Sequence, residues 1–244
     1  MKLEGKIAVV TGASTGIGRE IAKAIAANGG RVALTARSVD RLEETQRLVQ
    51  SSGGEARVFS TDLRDEKAIN NLASDVLGAW GDIDILVHVA GCWHNGNRGY
   101  AGVPLVDMPP ERINEGLDVQ IRAPMLLTHL FLPGMIRKKQ GKILSITGTF
   151  PRKGVGWLDY YVSKLALEHF TIGLAQELRE HEIQVNAISP ALTATEAAYR
   201  FYPEAVKTAV SPTEVAKLAI FLLSEDSANI TGQSIVIKSK AEHR

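Results

Sequence analysis

Tyr160 and Lys164 stand four residues apart in this chain of 244. On a helix that spacing puts both side chains on one face and within reach of each other. A phenol has an unperturbed pKa of about 10, too high for efficient proton exchange near neutrality. A neighbouring ammonium favours the phenolate, each unit of lowering corresponding to about 1.4 kcal/mol. The pair therefore suits general acid–base work on a substrate oxygen. Tyr161 has no lysine four residues on, which makes Tyr160 the candidate, although an amphipathic helix face produces the same spacing. A second chemical feature is the run Thr11-Gly12-Ala13-Ser14-Thr15-Gly16-Ile17-Gly18. Its glycines allow a tight turn, let the backbone approach a pyrophosphate and permit close helix–strand packing. Free amides where a helix begins then face the anion.

These residues need a scaffold, and the apolar pattern supplies one. Strand-length apolar runs fall at 6–11, 31–35, 57–60, 83–89, 142–147, 184–188 and 234–238. Between them lie segments of helical period: 17–28, one carrying Leu42, Leu48 and Val49, one carrying Ala68, Leu72 and Val76, then 111–138, 158–181 and 212–224. Such alternation predicts an α/β fold of Rossmann type, a doubly wound seven-stranded parallel sheet flanked by helices on both faces. No linker or low-complexity tract divides it, so residues 1–244 are read as a single domain. Ligands in such folds bind beyond the carboxyl ends of the strands, at the switch point of the strand order.

Composition excludes several classes of function. Lysine plus arginine exceeds aspartate plus glutamate by only one, 28 against 27, which argues against a nucleic-acid surface. Cys92 is the single cysteine, so no internal disulfide forms and a reducing, cytoplasmic setting is expected. The opening Met1–Lys6 has no apolar leader, and no apolar run is long enough to span a membrane. His94 lacks a second ligand at metal spacing, and no metal is expected. Cys92 beside Trp93 is read as packing, since nothing near it in sequence activates a thiol.

The glycine spacing Gly12-x-x-x-Gly16-x-Gly18 departs from the dinucleotide fingerprint G-x-G-x-x-G and resembles the cofactor loop of the classical short-chain dehydrogenase/reductase family. Further motifs follow in that family's order from Gly5 to Ile237. The resemblance implies that Gly12, Ser14, Thr15, Gly16, Ile17 and Gly18 hold a nicotinamide dinucleotide, and that Tyr160 gives a proton to a carbonyl while hydride arrives from the nicotinamide. The same resemblance implies that Lys164 tunes the phenol and holds the nicotinamide ribose. Arg37 stands where an NAD enzyme of this fold offers an acid. It could pair bidentately with a 2′-phosphate, implying NADP(H) over NAD(H), or be a solvated arginine at a helix start. Asp62 and Leu63 match the adenine-binding pair, though Asp62 could equally cap the helix starting near Asp65. Ala90 and Gly91 keep the small half of a motif whose two asparagines are here His88 and Val89. Pro190, Thr193 and Thr195 follow the sixth strand and are expected at the nicotinamide carboxamide.

Two catalytic positions depart from the family. Counting thirteen residues back from Tyr160 gives Thr147 for the usual serine, with Thr149 in reserve, whereas aligning by the strand gives Gly148. Gln120 stands for the asparagine that supports a water relay to the lysine. Trp93, Trp157, Tyr199, Phe201 and Tyr202 line the loops around 93–100 and 150–157 and a lid at 191–211, suggesting an apolar or ring-bearing carbonyl or alcohol; Arg152 and Lys153 could recognise an anionic tail. The expected activity is an NADPH-dependent carbonyl reductase or alcohol dehydrogenase. The alternatives are a 3-oxoacyl thioester reductase and, in another class, a non-catalytic nucleotide-binding regulatory or scaffold protein. A homo-dimer or homo-tetramer through the two long helices is also implied.

Overall fold

The computed structural model describes residues 1–94, 96–97, 99–100, 102–148 and 156–238. Seven strands form one parallel sheet: β1 (Ile7–Thr11), β2 (Arg31–Ala36), β3 (Glu55–Ser60), β4 (Ile85–His88), β5 (Gly141–Ile146), β6 (Ile183–Pro190) and β7 (Ser234–Ile237). Their spatial order is β3-β2-β1-β4-β5-β6-β7. The chain moves outward from β1 to β3 and then returns to lay β4 on the other side of β1. The β1/β4 boundary is therefore the switch point at which this class of fold binds its ligand.

Continuous apolar strands are what a sheet covered on both faces requires. In β1 all five residues are buried, and successive side chains enter opposite cores. Ala8 and Val10 join the core formed with α1 (Gly16–Ala27) and α8 (Pro212–Leu223), through Ile21, Ile25, Val215 and Ala219. Ile7 and Val9 join the opposite core, with Ile69 and Leu72 of α3 (Glu66–Trp80) and Leu127 and Phe131 of α5 (Ala123–Lys138). Truncating a buried ring such as Phe131 to alanine costs about 3–5 kcal/mol. The remaining helices are α2 (Val39–Ser51), α4 (Pro110–Leu117), α6 (Leu158–Glu177) and the short α7 (Glu196–Phe201). Ser211 and Glu214 form a reciprocal capping box that starts α8 behind Pro212.

Some boundaries differ from the apolar pattern. The run 111–138 is two helices joined by a wider π-type turn at Asp118–Arg122. β4 stops at His88 because the next two amides turn away to the Thr11 hydroxyl, which accepts from Val89 N–H at 2.9 Å and Ala90 N–H at 3.2 Å. β6 continues to Pro190, two residues further than expected, paired with β7. Among the described residues no helix is long and apolar enough to cross a membrane.

Candidate active site

At the carboxyl end of β1 the glycines do what their spacing requires. Gly12 has φ +66° and Gly16 φ +53°, conformations that favour glycine. A methyl group on Gly18 would come within 2.2 Å of the Gly12 carbonyl oxygen, so α1 can approach the strand only without one. A methyl on Gly12 would press on the Ala90 backbone at 3.0 Å, which ties the loop to the end of β4. The result is a cradle of backbone at the start of a helix, as a pyrophosphate needs. The Gly16 amide donates at 3.0 Å to the Glu196 carboxylate, which also pairs with Arg19 at 3.4 Å. An acidic residue at the head of α7 thus holds the lid segment against the glycine loop.

Next to this cradle, Arg37, Ser38 and Arg41 line the cleft beyond β2, and Asp62 and Leu63 line it beyond β3. Asp62 does not cap α3. That function falls to Asp65, whose side chain accepts from Lys67 N–H at 2.8 Å. Asp62 instead grips Arg64 through its backbone amide and guanidinium, and this hydrogen-bonded cation holds the Asp62 carboxyl below its usual range.

The opposite end of the cleft is built from β5 and α6. Lys164 is buried and donates from Nζ to the Ile146 carbonyl at 2.7 Å, with Nζ 5.7 Å from the centre of the Tyr160 ring. Burial pushes the Tyr160 phenol up to about 12 and the Lys164 ammonium down to about 8. Burial is thus the dominant influence on the phenol in this arrangement. Gln120 lies in the π-type turn, fully buried, and donates from Nε2 to Ser163 Oγ at 2.6 Å. Ser163 in turn donates to the Tyr160 carbonyl at 2.8 Å. The Gln120 Oε1 atom has no protein partner, and a methyl on Gly91 would lie 3.1 Å from it and 3.6 Å from Lys164 Nζ. The amide oxygen and the ammonium thus flank the same glycine.

The two ways of placing the family's serine give different residues, and the structure follows the strand. Thr147 is buried, and its hydroxyl donates to the Ile188 carbonyl at 3.2 Å, continuing the register in which Ile146 pairs with Ile188. Gly148 is the residue that faces the phenol: a methyl there would lie 3.7 Å from the Tyr160 oxygen. No side-chain hydroxyl is available from that position. Thr149, Arg152 and Lys153 lie outside the described residues.

Around the phenol, aromatic rings form a chain. Trp157 meets Tyr160 edge-on at 5.7 Å and Tyr202 at 6.0 Å, and Tyr202 stacks on Trp93 at 5.9 Å. His94 packs between Trp93 and Phe201, and burial lowers its pKa. The Cys92 thiol is pushed up to about 12 by burial and by Glu115, so it stays protonated. His88 is buried with Nε2 3.1 Å from the Thr128 hydroxyl, and burial, reinforced by Lys164, drives it down to about 3, so it is neutral. Thr195 accepts from Ala198 N–H at 3.2 Å and caps α7, which leaves its own proton free to be donated.

Glycine loop, Tyr160, Lys164, Thr193, Thr195 and Pro190 all border one cleft of about 700 Å³. The family described as enoyl-(acyl carrier protein) reductase matches residues 12–239. The chain belongs to the short-chain dehydrogenase/reductase family. It is an oxidoreductase of that family, whose members use a nicotinamide cofactor. A short chain dehydrogenase of Pseudocercospora fijiensis is 36% identical over 197 residues, covering 78% of this chain and 60% of the relative, so the match spans less than two thirds of that protein's length. A metagenomic short-chain oxidoreductase solved with NADP superposes with a TM-score of 0.82 at 33% identity, over 98% of each chain. A 7α-hydroxysteroid dehydrogenase solved with NADH and 7-oxo glycochenodeoxycholic acid gives a TM-score of 0.88 at 29% identity, over 97% of this chain and 94% of the other.

Several residues of the short-chain dehydrogenase site carried no readable signal. Ser163 bridges Gln120 to the Tyr160 backbone, and Glu196 reaches the glycine loop across 180 positions of sequence. Arg112 of α4 holds the start of α6 through Asp159 at 2.7 and 2.8 Å and the Gly156 carbonyl at 3.1 Å, both charged groups being buried. Only the Thr11 hydroxyl was findable, because it opens the glycine motif.

Proposed function

We propose that this oxidoreductase prefers NADPH to NADH and moves hydride between nicotinamide and a carbonyl or secondary alcohol of an apolar, ring-bearing substrate. The observation that carries the reading is the single cleft running from Arg37, Ser38 and Arg41, past the glycine loop, to Tyr160 and Lys164. A bound dinucleotide supplies or accepts the hydride. The glycine-loop amides would take its pyrophosphate, and Arg37 with Arg41 its 2′-phosphate, where no acid stands at the end of β2. Asp62 and Leu63 would border the adenine, Ala90 and Gly91 the adenosine ribose, and Thr193, Thr195 and Pro190 the carboxamide.

In this reading Tyr160 is the general acid and base and Lys164 holds the nicotinamide ribose. Gly148 brings no hydroxyl to the carbonyl, and the Thr147 hydroxyl can serve only by giving up Ile188, so Tyr160 carries most of the proton donation. Gln120 is the relay amide, acting on Lys164 from across Gly91. Trp93, Trp157 and Tyr202 favour a flat apolar body near the phenol. Exposed Met125 on α5 and Val162 and Leu165 on α6 support assembly as a homo-oligomer. The glycine at position 148 favours one second reading, a nucleotide-binding protein without efficient turnover.

Titration with NADPH and NADH, followed by nicotinamide fluorescence, tests the cofactor reading. NADPH should bind about tenfold more tightly, and Arg37→Ala should remove the preference, as loss of a charge-assisted phosphate contact predicts. Equal or NADH-favoured binding overturns the NADPH assignment, and binding of neither overturns hydride transfer.

A further inference from the structure

Arg37 is 61% exposed, and it leans toward α4, where its Nη1 lies 3.6 Å from Glu115 Oε1. The same carboxylate oxygen is 3.9 Å from Arg64 Nη1, and Oε2 accepts from the Tyr100 hydroxyl at 3.4 Å. Arg64 is already committed to Asp62, which it grips through Nε and the backbone amide. Of the acids around this mouth of the cleft, Glu115 is the one that stands at ion-pair distance from Arg37, while the Asp62 charge reaches Arg37 from further away. At 3.6 Å the pair is longer than a hydrogen bond and half open to water, so it is easily exchanged.

We propose that Glu115 is a specificity-determining residue that competes with the cofactor's 2′-phosphate for Arg37. The proposal rests on the NADPH reading above and deepens it. A phosphate monoester carries about −1.5 to −2 charge near neutral pH. To engage Arg37 it has to displace the Glu115 carboxylate and then sit near it. A cofactor with a bare 2′-hydroxyl meets neither penalty. Glu115 thus compresses the preference that Arg37 creates, and it does so from a helix remote in sequence from the β2 motif in which cofactor choice is normally read.

Glu115→Gln tests this with little disturbance, because the amide oxygen still accepts from Tyr100 and the volume is unchanged. In fluorescence titrations the variant should bind NADPH about three- to fivefold more tightly, the range set by partly exposed ion pairs, with NADH affinity unchanged. In an Arg37→Ala background the same substitution should lose most of its effect, since nothing remains to compete for. Unchanged or weaker NADPH binding, an equal gain for both cofactors, or an undiminished gain without Arg37 would each overturn the competition. Failure of the underlying reading looks different: Arg37→Ala alone would then leave NADPH affinity where it was.

Discussion

The half of the molecule built on β1 to β4 and the half built on β5, α6 and the lid handle their chemistry differently. In the first half the work falls on backbone. Gly12, Gly16 and Gly18 shape a cradle that no Cβ can enter, and Thr11 pins the ends of two strands. Side chains there can drift, as His88 and Val89 show by replacing asparagines, while the cradle stands. In the second half the work falls on individual functional groups, and two of these have changed: glycine faces the phenol at 148, and glutamine replaces asparagine at 120. A binding site made of amides tolerates sequence change that a reacting centre made of hydroxyls and amines registers directly.

The sharpest way to separate the halves is Tyr160→Phe. Removing the proton donor should lower turnover about 10²- to 10⁴-fold, while the NADPH dissociation constant stays within about twofold. A parallel loss of binding would show that the two regions are not separable.

Arg112→Ala should damage the reacting half through its scaffold. It leaves Asp159, one residue from Tyr160, as an unpaired buried carboxylate, and breaking such a pair costs about 3–5 kcal/mol. Urea denaturation should show that loss. A change under about 1 kcal/mol would mean that α6 is held by packing alone.

Lys164→Met should do the opposite, raising stability near neutral pH while abolishing turnover. The folded lysine titrates at about 8 against 10.5 when free, so burying its charged form opposes folding fully below pH 8. That opposition is relieved as pH rises from 8 towards 10.5. The variant should therefore be more stable by about 3 kcal/mol at pH 7, with the gap closing across that window. A gap that is constant with pH would place the effect in packing and not in charge.

Gly148→Ser is the smallest expected change. It puts a hydroxyl beside the Tyr160 oxygen, where a methyl group already fits at 3.7 Å, and should raise turnover a few-fold, worth about 1 kcal/mol, with cofactor affinity unchanged. No gain would show that the reacting half already has its donor elsewhere.

Sequence legibility follows the same division. The seven strands of a parallel sheet, the glycine turn and the Tyr160–Lys164 spacing were readable because each rests on local pattern: buried strands are apolar throughout, and turns need glycine at fixed offsets. The choice between Thr147 and Gly148 stayed open because counting back from Tyr160 crosses a loop whose length varies, whereas register along β5 does not. Glu196, Glu115 and Arg112 were invisible because their partners come from distant elements, and an acid or arginine on a helix looks solvated until the fold closes. The π-type turn at 118–122 was hidden too, since one extra residue per turn leaves the apolar period of 111–138 nearly intact.

If the proposed function holds, a stripped reacting half still passes hydride from the cofactor held by the intact half. NADPH carrying deuterium at the transferable C4 position, incubated with the protein and a panel of ring-bearing ketones, tests it directly. The expected product is an alcohol with one deuterium on the carbinol carbon, formed by the unmodified protein and lost in Tyr160→Phe. NADPH bound tightly, with no deuterated alcohol from any ketone in the panel, would contradict it and leave a nucleotide-binding protein in place of a reductase.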